Sequence, residues 1–234
     1  MSMDTILREG FAELGIDADP LAIDRFRKYY EHLEQQNRVM NLTAITAEDD
    51  VARLHFLDCG ALMRFADFAG KSVIDVGTGA GFPGLPLKIL CPDIRLTLLD
   101  SLQKRVDFLR STCDLLGLNG TECIHARAEE APQLRETFDI AVSRAVARLN
   151  VLCELCLPFV KVGGVFIAMK GPGCAEELEE AKNAIRLLGG KTVGVYDYPV
   201  PGTDTAHCAL IIEKHSFTPA KYPRRFAKIQ KAPL

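Results

Sequence analysis

A β-branched run, Ser72-Val73-Ile74-Asp75-Val76, leads into three glycines at alternate positions, Gly77, Gly79 and Gly81, and then into an apolar pattern at Leu85, Leu87, Ile89 and Leu90. The run reads as a buried strand and the pattern after the glycines as a helix. A strand, a glycine turn and a helix are how an α/β sheet offers its backbone to a ligand at the carboxyl ends of its strands. Asp75 lies two residues before the first glycine, where a carboxylate would repel a pyrophosphate and suit a cation such as the ammonium of an amino acid. S-adenosylmethionine is such a ligand. The dinucleotide fingerprint G-x-G-x-x-G is also matched, at Gly79, Gly81 and Gly84. That match starts late relative to the strand and encloses Pro83, and alone it is a weak signal, so both ligands stay open at this point.

The 234 residues suit one large domain, or one with a modest extension, and 48% hydrophobic against 25% charged content is ordinary for a globular chain. No stretch approaches the ~20 apolar residues of a membrane span, and Met1–Glu9 carries charges with no apolar signal core, so the expected location is the cytoplasm. The eight cysteines fit that expectation as small buried hydrophobes. Cys153-x-x-Cys156 has no second C-x-x-C or H-x-x-x-H pair to complete a metal set, and it sits in the apolar helical run Val151–Leu157; core packing is expected and no metal.

The net charge of −3 hides an asymmetry. From Lys214 to Leu234 lie six of the 28 basic residues (Lys214, Lys221, Arg224, Arg225, Lys228 and Lys231) and none of the 31 acidic ones, so the remainder carries 22 basic against 31 acidic groups. An acidic body with a basic tail suggests a polyanionic partner, and Phe217, Tyr222 and Phe226 interleave aromatic rings with the cations as nucleic-acid contacts do. Lys221, Arg224, Arg225 and Lys228 are the candidate RNA contacts; a solvated tail is the competing reading.

Asp19-Pro20 reads as a helix start, followed by Ala22, Phe26, Tyr29 and Leu33 at helical spacing, and a second helix is expected over 49–67. Strands are expected at 72–76, 95–100, 121–125, 138–143 and 164–169, and two late ones, antiparallel to each other, at 192–198 and 207–213. The intervening helices span Ser101, as a cap, to Gly117, then 149–160 and 176–188. The expected fold is therefore α/β: a doubly wound, mostly parallel Rossmann-like sheet with an antiparallel C-terminal strand. The chain divides into an N-terminal helical extension, 1–70, the ligand-binding domain, 71–213, and the basic tail, 214–234.

Ligands of such a sheet lie outside the carboxyl ends of the strands. Those ends collect Asp75 with Gly77 and Gly79, then Asp100, spaced to accept hydrogen bonds from ribose hydroxyls, then Ala128-Glu129 as an adenine edge or a solvated turn. Arg144 and Lys170 end two further strands and would line a pocket for an anionic substrate.

At this point the residues resemble a known family. Asn41-Leu42-Thr43, His55-Phe56-Leu57-Asp58, the segment from Ile74 to Pro86, Leu98-Leu99-Asp100-Ser101-Leu102, Lys104-Arg105, Phe108-Leu109, Ser143-Arg144-Ala145 and Lys170-Gly171 resemble the RsmG (GidB) group of methyltransferases. The resemblance implies an S-adenosylmethionine-dependent enzyme that methylates N7 of one guanine in small-subunit (16S) ribosomal RNA, with the RNA or the small subunit as partner and a monomer as the expected state. It implies cofactor contacts at Gly77, Phe82, Asp100, Ser101, Leu102, Ala128, Glu129 and Arg144. Cys59 stands where the family usually has serine, and Leu54 where a basic residue is common. The other reading is a methyltransferase acting on another RNA or on a small molecule. Guanine N7 is an unprotonated lone pair, so no acid or base catalyst is expected, and Arg144 and Lys170 are candidates for positioning the substrate.

Overall fold

The computed structural model describes residues 1–234. The chain begins with α1 (Met3–Glu13) and α2 (Pro20–Met40). Helix α2 starts as its sequence dictates: Pro20 takes the first turn and Asp19 Oδ1 accepts the Ala22 N–H at 2.7 Å, a cap worth ~0.5–2 kcal/mol. The expected second helix is instead a broken run: α3 (Glu48–Val51), a π-helical stretch over Ala52–Leu57, α4 (Asp58–Gly60) and a 3-10 turn over Ala61–Arg64. The ladder widens where the Leu54 carbonyl accepts from the Arg144 guanidinium at 3.0 Å. Such widened turns recur at functional sites.

From Ser72 onward strands and helices alternate. The strands are β1 (Ser72–Val76), β2 (Arg95–Asp100), β3 (Thr121–His125), β4 (Phe138–Arg144), β5 (Val160–Lys170), β6 (Gly190–Pro199) and β7 (Ala206–Lys214). The helices between them are α5 (Gly84–Leu90), α6 (Gln103–Leu116), α7 (Leu149–Cys156) and α8 (Cys174–Leu187). The sheet order is β3-β2-β1-β4-β5-β7-β6. The first five strands are parallel, and β7 runs antiparallel to both β5 and β6. Strand order reverses between β1 and β4, which places the ligand crevice of a doubly wound sheet at their carboxyl ends.

Successive strand residues feed opposite cores. Val73, Leu98, Val142, Ile167 and Ile211 pack under α1, α2, α5 and α6, while Ile74, Leu99, Ala141, Ala168 and Ile212 pack under α7 and α8. Both faces are covered, so these strands read as continuous apolar runs. The N-terminal helices share one core with the sheet: Phe11, Phe26 and Tyr29 are buried in the same cluster as Leu96 and Leu98. The tail is likewise part of the body, because Tyr222 and Ile229 lie in the second core. The composition changes near residues 70 and 214 are therefore not breaks in packing.

Four local features depart from the sequence expectation. Ser101 does not cap α6; Asp100 Oδ1 takes the Leu102 N–H at 2.9 Å. Helix α7 stops at Cys156 because Pro158 has no N–H, and β5 begins at Val160. The tail forms a helix of its own, α9 (Phe226–Lys231). Cys174 and Cys208, expected as free thiols, are joined as a disulfide from the start of α8 to β7. Cys153 and Cys156 are free and fully buried, with burial pushing both thiols up.

Candidate active site

The turn after β1 has left-handed backbone at Gly77 (φ 71°) and Gly79 (φ 62°), a region that side chains with a Cβ strain to adopt. Its amides are turned inward. Gly77 and Thr78 N–H donate to Leu99 O at 2.8 and 3.2 Å, and Gly81 and Phe82 N–H donate to Thr78 O at 2.9 and 3.0 Å. Gly79 N–H donates to Asp100 Oδ2 at 2.9 Å and Gly84 N–H to Asp75 Oδ2 at 2.8 Å.

Asp75 does not face the cleft. It is fully buried, its Oδ2 also accepts the Thr78 hydroxyl at 2.7 Å, and its Oδ1 has no partner. The expectation that it meets a ligand's ammonium is corrected: it clamps the turn to α5 from below. Burial, only partly offset by the bonds from Thr78 and Gly84, raises its pKa to about 7. Because the folded pKa lies above the ordinary 3.8, the associated stability is fully present below about pH 4 and is lost as pH rises through 7. Asp75→Asn keeps an acceptor for Thr78 and Gly84, so it should gain stability relative to the wild type as pH rises from 5 to 8. Urea unfolding of both proteins across that range measures it. A difference that does not change with pH would show that Asp75 is ionised throughout.

Asp100 joins three segments. Its Oδ1 accepts from Leu102 and its Oδ2 from Gly79 and, at 3.5 Å, from Arg105, which leaves one acceptor site on Oδ1 at the rim of the cleft that Asp100 lines. Two lobes meet there. A polar lobe of about 360 Å³ is lined by Thr78, Gly79, Phe82, Arg105, Arg144 and Val146 among others. An apolar lobe of about 140 Å³ is lined by Val76, Leu99, Ala128, Glu129, Leu155 and Phe226. Gly77, Asp100, Ser101 and Val146 border both. Leu102 lines neither; its side chain is exposed beyond the rim.

Arg144 ends β4 at the back of the polar lobe. Its guanidinium donates to Leu54 O at 3.0 Å, Asp58 Oδ2 at 3.2 Å and His55 Nδ1 at 2.9 Å, and it lies 4.9 Å over the Phe82 ring. Arginine only donates, so His55 Nδ1 accepts and the ring proton sits on Nε2, which donates to Thr43 Oγ1 at 2.9 Å. Burial and the neighbouring arginine lower the His55 pKa to about 3, so the ring is neutral. Asp58 is fully buried and also accepts Tyr198 OH at 2.9 Å and His207 Nδ1 at 2.8 Å. The π-helical stretch, β4 and the antiparallel edge thus hold one guanidinium in place. Ala145, with φ 56°, turns the chain directly after it.

Two expected site residues are spent elsewhere. Lys170 donates to Ala147 O at 2.6 Å and pairs with Glu177 at 2.7 Å, away from both lobes, so it positions no substrate. Arg224 is locked to the buried Glu154, with Nη2 to Oε2 at 2.6 Å and both N and Nε to Oε1 at 2.8 Å, so its charge does not face a polyanion. Lys221, Arg225 and Lys228 are exposed. The frame of Thr43, His55 and Asp58 around Arg144, and the slot wall Phe226, were not legible from spacing; only the family resemblance singled out the first three.

The model of the family described as rRNA small subunit methyltransferase G matches residues 22–198. The chain belongs to that family. Proteins named ribosomal RNA small subunit methyltransferase G are similar over its whole length: one from Alkaliphilus metalliredigens is 48% identical over 238 residues, covering 100% of both chains, and one from Clostridium perfringens strain 13 is 44% identical over 233 residues, covering 98% of each. Among solved structures, a SAM dependent methyltransferase from Aquifex aeolicus superposes with a TM-score of 0.52 at 19% identity, over 70% of this chain and 92% of that one. That likeness shows the fold alone. In this rRNA small subunit methyltransferase G family member the family match contains every residue of the polar lobe, whereas Phe226 of the apolar lobe lies beyond it.

Proposed function

We propose that this protein transfers the methyl group of S-adenosylmethionine to N7 of a guanine in small-subunit (16S) ribosomal RNA. The inward-turned amides of the glycine turn carry the reading. A dinucleotide site needs those N–H groups for pyrophosphate, and here Gly77, Thr78, Gly79, Gly81, Phe82 and Gly84 all donate within the protein. A ligand without phosphate fits such a turn. The residues present suit S-adenosylmethionine: the apolar lobe takes a planar base, the acceptor site left on Asp100 Oδ1 takes a ribose hydroxyl, and the open face at Gly79 adjoins the polar lobe for the amino-acid end.

When bound, the cofactor supplies an activated methyl group on sulfur. The chain's own residues then have only to align. Guanine N7 needs no base, and His55 does not act as one: it is neutral with both ring nitrogens engaged. Holding nucleophile and methyl in line supplies roughly 7–11 kcal/mol of such a barrier. The Arg144 guanidinium at the back of the lobe keeps its wall fixed and is positioned to orient the substrate. Exposed Lys221, Arg225 and Lys228 are proposed RNA contacts. A monomer acting on ribosomal RNA in the cytoplasm completes the reading. No helix is long and apolar enough to cross a membrane.

Small-subunit RNA from cells with and without the gene should differ by one N7-methylguanine, mapped by cleavage at the methylated base. Calorimetry should show binding of S-adenosylhomocysteine and none of NAD. An unchanged methylation map, or NAD binding without S-adenosylhomocysteine binding, would overturn the reading.

A further inference from the structure

We propose that the C-terminal tail completes the cofactor site, with Phe226 as the outer wall of the slot that takes the adenine ring; the inference rests on the S-adenosylmethionine reading above. The tail lies beyond the segment matched by the family model, and its aromatic residues first read as contacts for nucleic acid. In the folded chain it is threaded back across the body to the carboxyl ends of the strands. Lys214, fully buried, donates to Leu157 O at 2.7 Å and Thr218 Oγ1 at 2.8 Å. Arg135 donates to Tyr222 O at 2.7 Å and to Thr218 O. Glu154 of α7 then grips Arg224, and Ile229, fully buried, pins α9. Two residues past Arg224 the chain reaches the slot: Phe226 N–H donates to Glu129 Oε1 at 3.3 Å, and Phe226 lines the cavity together with Leu99, Val146 and Leu155.

Each end of that contact serves the same slot. Glu129 and Ala128 lie on the loop after β3 that borders it, and Leu155 lies next to Glu154 on α7. The anchor of the tail and one wall of the cavity are thus adjacent residues of one helix. An aromatic ring against an apolar cleft of this size is the surface on which a base stacks. Tail docking and cofactor occupancy are therefore linked, and by reciprocity the cofactor must favour the docked tail as much as the tail favours the cofactor.

Two measurements test this without reading activity. Calorimetry with S-adenosylhomocysteine on wild type, Phe226→Ala and Phe226→Tyr should show affinity reduced about tenfold in the alanine variant, equivalent to ~1.4 kcal/mol, and largely restored in the tyrosine variant, which keeps a ring. Trypsin digestion of the wild-type protein, followed by mass spectrometry, should show cleavage after Arg225 and Lys228 slowed by S-adenosylhomocysteine. The second assay needs no variant, so it decides the matter if Phe226→Ala fails to fold. Equal affinities of wild type and a folded Phe226→Ala protein, or tail cleavage unaffected by bound ligand, would overturn the proposal while leaving the cofactor reading intact. Absence of S-adenosylhomocysteine binding to the wild type would overturn both.

Discussion

Arg224→Ala should destabilise the protein by about 3–5 kcal/mol, because it leaves the Glu154 carboxylate buried without its partner. Glu154 is fully buried on α7, and the Arg224 side chain, only 15% exposed, supplies it with the charge and the donors Nε and Nη2, while the backbone N–H of residue 224 supplies a third donor that the alanine keeps. For a chain of this size 1 kcal/mol corresponds to ~2–4 °C, so the melting temperature should fall by roughly 6–20 °C. Adding Glu154→Leu to Arg224→Ala should recover part of the loss, since removing both charges avoids an unpaired one. Arg225→Ala, one residue along and exposed, should stay within about 0.5 kcal/mol of wild type. Calorimetric melts of the four proteins measure the series. An Arg224→Ala protein that melts like Arg225→Ala would mean the tail is a loose appendage, and the slot wall would lose its anchor.

The strands and the glycine turn were legible because their signals are local. A β-branched run followed by glycines at alternate positions specifies strand and turn within a dozen residues, and the expected boundaries 72–76, 95–100 and 121–125 coincide with β1, β2 and β3. What could not be read was which charges are spent. Arg224 and Arg225 are equivalent in a charge count, yet one is paired with an acid 70 residues away and the other is in water. A signal did exist on the acid's side. Glu154 is the one charged residue in the apolar run Val151–Leu157, and a buried carboxylate in such a run demands a cation from elsewhere. The same holds for Asp75. Its place at the end of β1 was clear, but whether it faced the ligand or the base of the turn depended on how α5 folds back to give it the Gly84 N–H. The sequence reads Phe226 as a nucleic-acid contact among the tail's cations, whereas in the folded chain it lines the slot, because the tail's path over α7 is set by long-range contacts.

Gly77→Val should abolish S-adenosylhomocysteine binding while the protein still folds. Gly77 has φ 71°, where a residue with a Cβ pays ~1–2 kcal/mol, and a β-branched one resists further. Space is the larger obstacle. A Cβ there would lie 2.7 Å from Val146 Cγ2, and Val146 borders both lobes of the cleft. Relief requires the strand-end segment after Arg144 to move away from β1, or the valine to fill the cleft, and either outcome removes the ligand's place. Affinity should fall at least about a hundredfold, or ~2.7 kcal/mol. Two variants separate strain from obstruction. Gly79→Ala shares the left-handed backbone (φ 62°), but its Cβ meets nothing nearer than Gly77 O at 4.0 Å, so it should lose stability and retain measurable binding. Gly70→Ala (φ 66°), before β1 and with open space around its Cβ, should lose comparable stability and bind normally. Thermal melts and calorimetry on the three variants give both quantities. A Gly77→Val protein that binds S-adenosylhomocysteine within threefold of wild type would show that the ligand does not lie over this turn.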